Sequence, residues 1–186
     1  MFYLKKIFFN HYVVFLIMMF FISGGKVQAK AVVGQTLKNV EILNVNDKKA
    51  TIPFWGKKVL TIMYTDPDEK DVNDDLSDAI SAKNYPISKY FGVGVANCKD
   101  TWIPNGLIRI KAKEKQKQYK KSKILLDEKK ILSKAWGLGD CDDLGVVIII
   151  GKDKKIKYIK KIKTKKESKS VIAEVLKIIE VELKKK

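Results

Sequence analysis

Cys98 and Cys141 are the residues of this chain best suited to redox chemistry, and they stand far apart, in no C-x-x-C pair. That spacing does not fit a zinc site. It leaves three states open to them: a structural disulfide, two unbonded thiols, or a pair that exchanges electrons with substrate thiols. Carboxylates offer a second chemistry. Asp66, Asp68, Glu69 and Asp71 fall in one short stretch, and Asp140, Asp142 and Asp143 in another. Brought to one place, such groups hold a hard cation such as Ca²⁺ through oxygen. The spacing departs from the EF-hand loop, however, and acidic residues at a helix start are ordinary caps. No metal and no other cofactor is therefore expected, with Asp66, Asp68, Asp140 and Asp142 as weak candidates for a cation site. The only histidine is His11.

The N-terminus reads as a secretory signal. Lys5 and Lys6 precede a largely apolar stretch from Ile7 to Ile22, and Val27 and Ala29 satisfy the small-residue rule for cleavage. Residues 1–29 are assigned to a signal peptide cleaved after Ala29, an uncleaved anchor being the alternative. No cysteine in the cleavage region offers a lipid attachment point. The expected location is periplasmic or secreted, with no stable membrane span once the signal is gone. Cleavage would also remove His11, and with it histidine acid–base catalysis and histidine metal ligation. Export places both cysteines where a disulfide can persist.

The elements that must position these residues follow from periodicity. Residues 30–186 carry no Pro/Gly/Ser linker and no repeat, so they read as one domain. Strands are expected at Val40–Val45, Lys58–Tyr64, Tyr90–Ala96 and Ile124–Leu126, the second and third as short apolar runs buried on both faces. Helical spacing covers Asp71–Lys83, about Gly106–Lys121 and Glu128–Trp136. Val146–Ile150 and Ile156–Ile162 flank a polar turn and form a hairpin, and Lys166–Leu183 closes the chain as one amphipathic helix. Alternation of strand and helix, ending in a hairpin, gives an α/β fold: a mixed central sheet, helices on both faces, and an N-terminal strand extension. Cys98 and Cys141 then fall beyond the carboxyl ends of strands, where α/β sheets gather function.

Lys and Arg number 38 against 21 Asp and Glu, a formal charge of +17, yet Arg109 is the only arginine. Arg usually supplies bidentate phosphate and base contacts, and no nucleic-acid motif accompanies the charge, so nucleic acid is not an expected partner. The lysines at 111, 113, 115, 117, 120, 121 and 123 read as a solvated face, with an anionic surface as the functional alternative. Trp55, Trp102 and Trp136 are expected to pack in the core or at its rim.

Several stretches resemble the thioredoxin-like superfamily in its peroxiredoxin and TlpA-like form. These are Val33–Leu37, Gly56–Leu60, the strand–Asp–helix stretch Ile124–Gly137, and Val147–Tyr158 around Lys152-Asp153-Lys154. A narrower resemblance, to the YtfJ family of exported bacterial proteins, rests on Tyr64–Asp68, Asn97–Trp102 and Ala135–Asp140. Two departures govern what the resemblance implies. Where redox members carry their thiols at a helix start, whose dipole lowers a thiol pKa, this chain has Thr65-Asp66-Pro67-Asp68-Glu69. Where they carry a cis-proline, it has Asp143-Leu144-Gly145. The expected role is thus a non-catalytic binding or interaction domain of the cell envelope, its partner an envelope protein or an anionic surface. The alternative is an atypical thiol-disulfide oxidoreductase using Cys98 and Cys141.

Overall fold

The structure is a computed structural model that describes residues 30–119 and 121–185. The expected signal peptide and Lys120 lie outside the described residues. Seven strands form one sheet in the order β2-β1-β5-β4-β3-β6-β7. They are β1 (Glu41–Asn44), β2 (Lys49–Thr51), β3 (Val59–Thr65), β4 (Tyr90–Ala96), β5 (Ser122–Leu126), β6 (Gly145–Ile150) and β7 (Ile156–Ile162). β3, β4 and β5 run parallel, while β6 and β7 return antiparallel beside β3, and β1 pairs antiparallel with β5. Among the described residues, five α-helices accompany the sheet: α1 (Asp74–Ala82), α2 (Asn105–Gln118), α3 (Ile131–Trp136), α4 (Lys165–Ser170) and α5 (Ile172–Lys184).

Sequence dictates which strands lie deepest. β6, Gly-Val-Val-Ile-Ile-Ile, is buried at every position, as an apolar run covered on both faces must be. Leu60, Ile62 and Tyr64 of β3 enter one core with Phe91, Val93 and Val95 of β4, capped by Leu132 and Trp136 of α3. Val59 of β3, Val147 and Ile149 of β6, Leu76 of α1 and Val175 of α5 build the core on the opposite face. A smaller cluster on that second face joins Leu126 to Ile108 and Ala112 of α2.

Two elements differ from the periodic reading. β2 was not anticipated, because three residues on the sheet edge with exposed ends carry no usable alternation. The closing helix is divided at Val171, whose side chain is buried in the core and whose backbone, at φ −95° and ψ −5°, stays in the right-handed region but interrupts the regular helix. α4 carries its own N-cap, Thr164 Oγ1 accepting from Glu167 N at 3.2 Å, so it starts independently of α5. Trp136 is fully buried and Trp55 stacks against it, ring centroids 5.8 Å apart. Trp102 departs from the expected packing role: it is 85% exposed, on the polar loop before α2.

Candidate functional site

Three parallel strands end in register on three polar residues. Asp66 follows β3, Asn97 follows β4 and Asp127 follows β5, and all three are fully buried. Ladder bonds continue through the row, Asn97 N donating to Thr65 O and Asp127 N to Ala96 O, each at 2.9 Å. Strand alternation therefore sends the three side chains to one face, the face of Tyr64, Val95 and Leu125. Each has a different task.

Asp127 accepts from Ile131 N (2.6 Å), Leu132 N (3.0 Å), Ser133 N (3.2 Å) and the Tyr64 hydroxyl (3.2 Å). It satisfies the otherwise unpaired first turn of α3, and burial beside its charge raises the Tyr64 pKa. Asp66 caps the 3₁₀ turn Pro67–Glu69 by accepting from Asp68 N at 2.9 Å, and its second oxygen accepts from Asp143 N at 3.1 Å. The Asn97 amide donates to Asp100 at 2.7 Å and to the Cys141 carbonyl at 3.4 Å, while its Oδ1 has no partner. Burial works against the Asp100 carboxylate, but hydrogen bonds from Lys130 (2.5 Å) and Asn97 outweigh it and hold its pKa below the ordinary value.

One carboxylate oxygen from each of Asp66, Asp142 and Asp143 lies within 4.8 Å of the others. Among the expected acidic candidates, Asp66 and Asp142 thus meet. Asp68 and Asp140 fall outside this group, and Asp143 takes their place. Burial pushes the Asp66 carboxyl up, against the two backbone N–H groups that favour its charge. A carboxyl whose folded pKa lies above its unfolded value of about 3.9 binds the proton more tightly when folded. Its stabilising effect is complete below that value and is lost as pH rises through the folded pKa. The stability difference between wild type and Asp66→Asn is therefore expected to move toward the variant as pH rises. Urea unfolding across the acid range checks this, and a pH-independent difference would contradict it.

The cysteines do not meet as a redox pair would. Both are free and buried. Cys98 comes one residue after Asn97, so alternation sends it to the opposite face, among Ile108 and Ala112. Cys141 packs on the Asn97 face with Leu138 and Leu144, its sulfur directed at the carbonyls of Leu138 (3.8 Å) and Gly139 (3.5 Å). Burial, then neighbouring carboxylates, pushes the Cys98 thiol up to about 12. Burial pushes Cys141 up to about 11, with Lys161 opposing. Neither environment favours the nucleophilic thiolate.

The turn ahead of β6 replaces the expected cis-proline position, and the described residues contain no cis peptide. Leu144 O accepts from Asp66 N at 3.1 Å, so the turn is bound directly to the end of β3. Gly145 is required there by contact, since a Cβ would come within 2.3 Å of the Asn73 amide nitrogen. Sequence reasoning missed Asn97 and Asp127 as site residues. Their signal was positional: each is the first polar residue after a β-forming run.

Residues 31–182 match the family described as "Bacterial protein of unknown function (YtfJ_HI0045)". An uncharacterized protein of Haemophilus influenzae is 28% identical over 92 residues, 49% of each chain, so this chain spans about half the length of that curated relative. Among solved structures, a peroxiredoxin-like protein from Aquifex aeolicus aligns with TM-score 0.56 and 12% identity, over 82% of this chain and 91% of that one. A protein from Bacteroides thetaiotaomicron named as a putative protein disulfide isomerase gives 0.56 and 16%, over 81% and 91%. A putative thiol:disulfide interchange protein from Chlorobium tepidum gives 0.57 and 10%, over 81% and 99%. Identities this low establish the thioredoxin-like fold alone. Among the described residues no helix is long and apolar enough to cross a membrane.

Proposed function

The chain belongs to the YtfJ_HI0045 family of bacterial proteins, and from that premise we propose that it is exported to the cell envelope and works there as a non-catalytic binding or interaction domain. The observation that carries this reading is the occupant of the position where the fold elsewhere places its thiols. Here it is Asp66, a buried carboxylate bound to two backbone N–H groups. A carboxylate cannot perform disulfide exchange. Cys98 and Cys141 lie on opposite faces of the sheet, so neither can replace the missing pair without moving through a packed core. The N-terminal sequence supports export, and the lysine excess favours an acidic envelope protein or an anionic surface as partner.

The competing reading is an oxidoreductase that uses Cys98 and Cys141, and intact mass after thiol alkylation separates the two. Across a series of redox buffers, both thiols are expected to stay reduced, to alkylate slowly in the native protein, and to alkylate fully on unfolding. A reversible Cys98–Cys141 link with a midpoint between about −270 and −120 mV would overturn the proposal and make that pair the active site. The same spectra report whether the chain begins after Ala29.

A further inference from the structure

We propose that the outward side of α2, with Trp102 ahead of it, seats the protein on the surface of an anionic lipid bilayer without spanning it. The proposal rests on the reading of an envelope binding domain, and it names the partner. Three large apolar side chains within residues 102–110 face solvent: Trp102 is 85% exposed, Leu107 55% and Ile110 53%. Apolar residues scattered singly over a surface need no explanation. A tryptophan is ordinarily well buried, however, and three such groups in one short segment point to something that covers them.

Helix geometry sets Leu107 and Ile110, three residues apart, side by side. Neither joins a core cluster, whereas Ile108 and Ala112 take the inward side of α2 and are buried with Leu126. That inward side is also pinned by charge: Arg109 bridges Asp47 and Glu128, and Lys115 reaches Asp74 and the Lys70 carbonyl. Ile103 packs in the same cluster as Ile108, which fixes the entry of the chain into the helix, and Trp102 precedes it on the solvent side. Charge then selects the occupant. Lys113 and Lys117 lie three and seven residues beyond Ile110, on its side of the helix. Both are exposed, and neither has a carboxylate partner among the described residues. Glu114, the only acid of α2, is already paired with Lys111 at 3.0 Å. Apolar groups beside unpaired lysines are the composition of segments that lie in a bilayer interface, with tryptophan at headgroup level. Anionic headgroups match the lysines, and acyl chains match the apolar trio. A stable protein interface takes roughly 20–30 residues a side, whereas a bilayer needs only a shallow apolar wedge backed by positive charge. The net charge of +17 adds long-range attraction to the same surface.

Tryptophan emission of the full chain, titrated with lipid vesicles, tests the seat. Trp136 is buried, Trp55 is stacked on it, and residues 1–29 contain no tryptophan, so a change in emission reports Trp102. Vesicles of about 30 mol % phosphatidylglycerol in phosphatidylcholine are expected to shift the emission to the blue, and brominated acyl chains to quench it. Phosphatidylcholine alone should leave it unchanged, and raising KCl from about 0.05 to about 0.5 M should weaken the response. Trp102→Phe should remove the shift. Lys113→Gln and Lys117→Gln should each raise the lipid needed for half the shift about fivefold. The double variant Leu107→Ser/Ile110→Ser changes only exposed side chains, so it should fold normally and need about tenfold more lipid or lose the shift altogether. No shift with phosphatidylglycerol vesicles overturns the proposal and leaves a protein or a second copy of this chain to cover α2. A shift that is unchanged in the double variant overturns it as well, because charge alone would then hold the lipid. Neither result alters the outcome of thiol alkylation, so this proposal and the non-catalytic reading fail separately.

Discussion

Asp127→Ala is expected to destabilise the protein by about 3–5 kcal/mol, which would show in urea unfolding as a large fall in midpoint. The substitution removes the acceptor of four donors at once: three backbone N–H groups in the first turn of α3 and the Tyr64 hydroxyl. Nothing else caps that turn. Lys130, at the N-cap position, is left-handed with φ 55° and makes no side-chain cap bond. Leu132 and Ser133 are buried, so their N–H groups would be left unpaired rather than solvated. Each such orphan costs about 1–3 kcal/mol. Tyr64→Phe removes only one of the four donors and should cost about 0.5–1.5 kcal/mol. A loss below about 1 kcal/mol in Asp127→Ala would mean that the first turn of α3 finds other acceptors, and the row at the strand ends would lose its structural role.

Trp136→Ala should cost a similar amount, about 3–5 kcal/mol, by a different route. The indole is fully buried at the C-terminal end of α3, stacked on Trp55, and its Nε1–H donates to the Lys38 carbonyl at 2.8 Å. Truncation leaves a cavity beneath the N-terminal segment and an unpaired carbonyl above it. Trp136→Phe retains most of the volume and should recover more than half of the loss. If Phe is as damaging as Ala, the hydrogen bond to Lys38 rather than packing holds the N-terminal segment on the sheet. Thermal unfolding of the two variants side by side separates these cases.

Much of the fold was legible because apolar runs and turns are local signals. Tyr90–Ala96 and Ile156–Ile162 coincide with β4 and β7, and β3 is displaced from its expected span by a single residue. What escaped was set by tertiary contact. β2 exists because β1 offers a ladder to three unremarkable residues, and the break falls at Val171, a residue buried in the core. The site divides in the same way. Asp66 and Asp142 were identifiable as acids near strand ends, but Asp143 displaces Asp68 and Asp140 because Asp66 binds the Asp143 N–H, a contact 77 residues apart in sequence. The face of Cys98 follows from strand parity once the β4 boundary is known, whereas Cys141, in the loop before β6, is set on the other face by its packing with Leu138 and Leu144. Asn97 was marked only by its place after the run Tyr90–Ala96, and its burial with an unpartnered oxygen is set by tertiary contact.

The sheet order has a consequence for the behaviour of this chain among its own copies. β6, the most aggregation-prone segment by composition, lies between β3 and β7, so its backbone offers no free edge to a second molecule. The open edges are β2, which is short and carries exposed Lys49, and β7 past Ile156, whose backbone is already paired with Gly34 and Gln35; that open part carries Lys157, Lys160 and Lys161. Another chain that approached either edge to extend the sheet would have to bring its own copy of those charges into register with them. The lysines along β7 thus act as gatekeepers against fibril growth, guarding a hydrophobic strand that would become a template if β7 peeled away.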